Sequence, residues 1–127
     1  MNFTIPIRTP SCANLREHWH ARAKRAKGHR LAACACFPRD RVPSFPVVVT
    51  LTRVAPRPLD DDNLRGALKA VRDGIADALG VDDRDERVRW RYRQIRGAAK
   101  YHAVDVSIAE VRKLPPVDDF APLEARP

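Results

Sequence analysis

No stretch of this chain holds the roughly 20 consecutive apolar residues that a membrane-spanning helix needs, so the sequence predicts no transmembrane segment. Residues 1–7 lack a basic region followed by an apolar one, so no secretory signal is expected and a cytoplasmic protein follows. Cysteine is scarce: Cys12, Cys34 and Cys36 fit reduced thiols in that compartment. Cys34 and Cys36 stand one residue apart, with no second pair to complete a zinc-type spacing. His18, His20 and His29 are near in sequence, but the spacing argues against zinc, and the two cysteines read better as the apolar end of a helix. No internal repeat is visible. Acid is nearly missing from the first part of the chain: residues 1–53 carry ten Lys/Arg against only Glu17 and Asp40.

Residues 54–127 carry fourteen residues of each sign, so the whole net charge of +8 belongs to the N-terminal part. A pI of about 10.1 favours a polyanionic partner, with a merely solubilising surface as the plainer alternative. At 127 residues the chain is one domain, large enough for a modest core and small enough to gain from association.

Residues 2–7 alternate Phe3, Ile5 and Ile7 with polar neighbours and predict a short strand, broken by Thr9-Pro10-Ser11. Residues 15–36, rich in Ala, Arg and Lys, predict a helix that Gly28 could interrupt, with Leu15, Trp19, Ala23, Ala26 and Leu31 available for one face. Pro38, Pro43 and Pro46 mark a loop. Residues 45–54 form the clearest strand, β-branched and central in a sheet. Residues 63–79 form the best helix: Leu64, Leu68, Val71, Ile75 and Leu79 make one buried stripe, and Gly80 stops it. Residues 87–95 alternate Val88, Trp90 and Tyr92 with Arg87, Arg89, Arg91 and Arg93. Residues 96–100 turn the chain into a strand over 101–111, which predicts a hairpin. Residues 114–127, with four prolines, predict an extended or disordered tail after a domain spanning 1–113. The order β-α-β-α-β-β implies an α+β fold of one mixed sheet and two helices.

Against this basic background, Asp60, Asp61 and Asp62 open the best helix, and Asp82 and Asp83 follow its end. Clustered carboxylates repel one another unless a cation is shared between them. One Asp at a helix start is explained by capping and the helix dipole, but only one residue can be the cap. Oxygen-only donors suit Mg²⁺ or Mn²⁺. Asp62, Arg65, Lys69 and Arg72 share a helix face, placed to neutralise phosphate, and Lys69 or Arg65 could steady charge in a phosphoryl transition state. The alternating arginines could track a nucleic-acid backbone. The alternatives are an ordinary solvated helix face and a polar turn after Gly80.

Asp60-Asp61-Asp62-Asn63-Leu64, then Lys69-Ala70-Val71-Arg72-Asp73, then Gly80-Val81-Asp82-Asp83 resemble the signature of the RusA-type Holliday junction resolvases, over roughly residues 3–110. Pro10-Ser11, Asn14 and the basic segment after them also resemble that family's N-terminal region. The resemblance implies a homodimeric, Mg²⁺-dependent endonuclease, typical of phages and prophages, that nicks a four-way DNA junction symmetrically in recombination and repair. It makes Asp60, Asp62 and Asp83, with Asp82 beside it, the metal ligands and catalytic acids. Lys69 becomes the catalytic lysine only if three extra residues separate it from Asp62; strict counting lands on Gly66. One inserted helical turn keeps the lysine on its face. Arg16, Arg22, Lys24, Arg25, Lys27 and Arg30, with Arg65, Arg72, Arg89, Arg91 and Arg93, would bind the junction arms through phosphates. The alternatives are a non-catalytic DNA-binding protein that retains the resolvase fold, and a small RNA-processing nuclease.

Overall fold

The computed structural model describes residues 1–11, 18–120 and 124–125. The chain runs through β1 (Asn2–Ile5), α1 (Trp19–Cys36), β2 (Val47–Ala55), α2 (Asp61–Leu79), β3 (Val88–Arg96), β4 (Ala103–Glu110), β5 (Asp119–Phe120) and β6 (Glu124–Ala125). The strands form one mixed sheet ordered β1-β4-β2-β3-β5, with β6 also pairing with β3. The α+β architecture with two helices agrees with the sequence pattern, and β2 is central as its β-branched run predicts.

α2 folds as its stripe requires. Leu64, Leu68, Val71, Ile75 and Leu79 are all buried. They cover a sheet face built from Val47, Val49 and Leu51 of β2, Val88, Trp90 and Tyr92 of β3, Val104, Val106 and Ile108 of β4, and Ile5 of β1. Asp60 caps the helix and Gly80 ends it at φ 73°, the left-handed conformation that suits glycine. α1 then packs on α2 at one close point. A Cβ on Gly74 would lie 2.3 Å from the Arg30 carbonyl oxygen, so only glycine lets the helices approach this closely.

The expected hairpin does not form. β3 runs parallel to β2, and β4 lies antiparallel on the other side of β2, so β2 separates the two. The cause is α2: a helix crossing between β2 and β3 returns the chain parallel to its start. The chain then passes over the end of β2, where Gly97 N donates to Ala55 O at 3.0 Å, before descending as β4. Alternation alone shows that two strands exist, not which strand lies between them.

The inner face expected for α1 also differs. Trp19 and Leu31 are 66% and 61% exposed, and Ala23 and Ala26 are exposed as well; Ala33 is the buried residue, flanked by half-buried Arg25, His29, Ala32 and Cys36. α1 carries no continuous apolar stripe to set its phase, so the Gly74 contact and the Arg30–Asp77 pair set it instead. Gly28 does not break the helix. Leu15 and Arg16 lie outside the described residues. Cys34 and Cys36 are half-buried thiols at the end of α1.

The described parts of the C-terminal segment join the sheet. Asp119 and Phe120 pair with Arg91 and Tyr92, and Glu124 and Ala125 with Ile95 and Arg96, all parallel to β3. Phe120 stacks on Tyr92 with ring centroids 4.6 Å apart. The sheet therefore includes residues beyond 113.

Candidate nucleic-acid and metal site

The start of α2 is positioned from the sheet beneath it. Arg53 and Gln94 continue the inward-facing parity of β2 and β3, yet both are polar and 6% exposed. Gln94 holds the main chain of Leu59 at both atoms: Leu59 N donates to Oε1 at 2.8 Å, and Nε2 donates to Leu59 O at 2.6 Å. Arg53 Nε donates to Thr9 O at 3.0 Å and Nη1 to Arg57 O at 2.8 Å. These two side chains fix residues 57–59 and so aim the helix that follows. The signal was in the sequence as a charged and an amide residue inside two apolar strand faces.

Asp60 Oδ1 accepts from Asn63 N at 2.9 Å, so this carboxylate works as the cap. Asp61 and Asp62 occupy the exposed first turn, where negative charge complements the helix dipole. Asp82 and Asp83 lie beyond the other end. Asp82 Oδ1 accepts from Arg84 N at 2.8 Å, which holds its carboxyl below the usual range. The main-chain oxygen of Asp83 accepts from Arg72 Nη2 at 2.7 Å. Arg72 sits ten residues past Asp62, about 15 Å along the helix axis. The two acidic groups are thus separate. Among the described residues no set of three His, Cys, Asp or Glu side chains is arranged to hold a metal ion. Within one chain, Asp60 and Asp62 at the start of α2 therefore stand apart from Asp82 and Asp83 beyond its end.

Lys69 lies between two surface cavities. One, about 380 Å³, is lined by Lys69 and Arg30 with Asp73, Asp77, Asp82 and Asp83. The other, about 260 Å³, is lined by Lys69 with Arg22, Arg25 and His29 of α1 and Gly66, Ala70 and Asp73 of α2. Lys69 Nζ reaches Asp73 at 3.3 Å across an exposed i, i+4 spacing, a contact worth a few tenths of a kcal/mol. Lysine is therefore brought together with Asp82 and Asp83, but not with Asp60 and Asp62.

The cations expected to meet DNA divide into two sets. α1 has five Lys/Arg and no acid along its eighteen residues, with Arg22, Lys24 and Lys27 on exposed positions and Arg25 half-buried. Arg30 is committed to a bidentate pair with Asp77, at 2.6 and 2.8 Å, that links the helices and raises its pKa. Arg72 bonds Tyr92 Oη at 2.8 Å and Asp118 at 3.2 Å. Burial alone would lower its pKa, but the Tyr92 and Asp118 partners carry it above the ordinary value. Arg65 stacks over Phe120 at 4.8 Å.

The arginines of β3 are not an open ladder. Arg87 pairs with Asp85 at 2.8 Å, Arg89 Nε donates to Pro115 O at 2.7 Å, and Arg93 pairs with Asp119 at 2.9 Å. Arg91 Nε approaches Asp119 to 3.3 Å, close enough for charge attraction but without hydrogen-bond alignment. The acid missing between these arginines in sequence comes from the C-terminal segment.

No family model matches the chain, and no solved structure matches it. A protein from Xylella fastidiosa (strain Temecula1), described as "uncharacterized protein", is 42% identical over an alignment of 82 residues that covers 56% of this chain and 52% of that one. The chain therefore spans about half the length of this curated relative.

Proposed function

We propose that this protein is a divalent-metal-dependent endonuclease acting on branched DNA, of the RusA resolvase type, and that it works as a homodimer. The observation that carries the reading is the groove between α1 and α2. There Arg22 and Arg25 of the acid-free helix face Lys69, two turns along α2 from the exposed Asp62. Cations there would hold a strand by its phosphates without reading bases. Lys69 would lie against a bound phosphate and oppose charge that builds on it.

Because the acids of one chain stand in two groups, the proposal places the complete acidic site between two copies. A four-way junction has two symmetry-related phosphates, and a two-fold dimer presents two matching sites. The separation of the acids also supports a second reading, a DNA-binding protein that keeps the fold without turnover. Incubation with a synthetic four-way junction, with and without Mg²⁺ or Mn²⁺, separates them: paired nicks that need the ion support the nuclease, and tight binding without nicks supports the binder. An RNA-processing nuclease would instead prefer a ribose strand.

A further inference from the structure

A cavity of about 390 Å³ opens where the end of β2 meets the N-terminal segment, with Arg8, Ser11, Arg53, Arg57, Leu59 and His102 in its wall. No carboxylate lines it among the described residues. Arg53 is 6% exposed, and among the described residues its hydrogen bonds go to two main-chain oxygens, Thr9 O and Arg57 O, neither of them using Nη2. A buried guanidinium without an anionic partner is costly. Arg8 and Arg57 add two exposed guanidiniums to the same wall.

Two buried polar atoms here also lack a partner among the described residues: Ser11 Oγ, on a residue 6% exposed, and His102 Nδ1. Burial and the positive charge of Arg8 lower the pKa of Arg53; burial, Arg8 and Arg53 lower that of His102. The positive charges are therefore unrelieved by the described residues around them. Guanidiniums, a hydroxyl and an imidazole around one space suit the oxygens of a phosphate group, which accepts several such bonds at once.

We propose that this cavity binds a phosphate group, and that the phosphate belongs to the nucleic-acid strand approaching the start of α2. Leu59 in the wall immediately precedes the cap Asp60, so a phosphate held here lies beside the first acidic group. The choice of a strand as the source rests on the function proposed above; the anion site itself does not.

The test uses the full chain in EDTA, so that nothing depends on cleavage. Inorganic phosphate titrated into labelled protein should shift the Ser11 amide and His102 ring resonances saturably. Arg8→Ala with Arg57→Ala, both at exposed positions, should abolish that shift. Arg53→Met is a supporting variant, read only where its spectrum remains folded. The same double variant should flatten the log–log salt dependence of four-way junction binding by about 0.9, the change expected when one phosphate is no longer neutralised.

Shifts spread along α1, or unchanged in the double variant, would overturn the cavity as a site. Saturable phosphate binding with an unchanged salt slope would overturn the strand as its source. Both changes in a protein that never nicks DNA would uphold the site and remove the nuclease. Metal-dependent nicking with neither change would do the reverse.

Discussion

Gln94 grips Leu59 by both polar atoms of its amide, and this pair sets where α2 begins. Gln94 lies on β3, opposite Arg53 of β2, so the acidic helix start is fixed from the two adjacent parallel strands beneath it. Replacing Gln94 with Leu keeps the volume but leaves a part-buried amide N–H and carbonyl unpaired. The expected loss is about 1–3 kcal/mol of stability, measured by urea unfolding. An unchanged midpoint would show that water satisfies Leu59 equally well.

Gly74 tests the helix pairing. A Cβ there would meet main-chain oxygen and the Ala33 side chain, neither of which can swing aside. Gly74→Ala should separate α1 from α2 and cost about 1–3 kcal/mol, despite alanine's better helix propensity. Gly28→Ala, where a Cβ meets nothing within 4 Å, should instead be neutral or stabilising. Equal effects at both positions would contradict the close approach.

The histidines give a pH dependence with a definite sign. Burial, then the charge of Arg25, lowers the pKa of His29 below its ordinary 6.5, although a hydrogen bond to the main chain of Arg8 opposes this. His102 is lowered too, by burial and by Arg8 and Arg53. Between those lowered values and 6.5 the unfolded chain binds more protons than the folded one, so stability rises with pH across that window. The urea midpoint should fall as pH is taken from about 7.5 to about 5.5, and His29→Gln with His102→Gln should flatten the fall. A midpoint that rises on acidification would contradict the assignment.

The sequence was legible wherever one local pattern dictated one local answer. The stripe Leu64 to Leu79 makes α2, the β-branched run makes β2, and Gly80 makes the stop. The pairing of β3 and β4 was not legible, because it depends on the α2 crossover, which alternation does not encode. Arg91 and Arg93 look like free cations in the sequence because their partner, Asp119, is more than twenty-five residues away. The candidate acids were legible as residues but not as a constellation: their separation is set by the length of α2. Arg53 and Gln94 carry only a faint signal, since a single polar residue at the end of an apolar strand face says nothing of the main-chain atoms it will hold.

Asp119 supplies a further test of DNA contact. Asp119→Asn removes the charge that neutralises Arg91 and Arg93 while keeping a side chain of the same size. If the β3 arginines can then reach phosphate, junction affinity should rise and its salt dependence should steepen by about 0.9 for each further phosphate neutralised. An unaltered slope would exclude the β3 arginines from DNA contact.

The most direct measurement is strand nicking of a synthetic four-way junction by the wild-type chain and by Asp62→Asn, in Mg²⁺ or Mn²⁺, with linear duplex alongside. The wild type should cut two symmetry-related strands of the junction only with metal, and should leave duplex largely intact. Asp62→Asn should bind the junction as well or slightly better, since an exposed negative charge beside phosphate is gone, and should not cut. Lys69→Ala should lose roughly a hundredfold or more in turnover, with Arg65→Ala, whose side chain rests on Phe120, far less affected. A wild-type protein that never nicks the junction in either metal, or an Asp62→Asn protein as active as wild type, would contradict the proposed endonuclease.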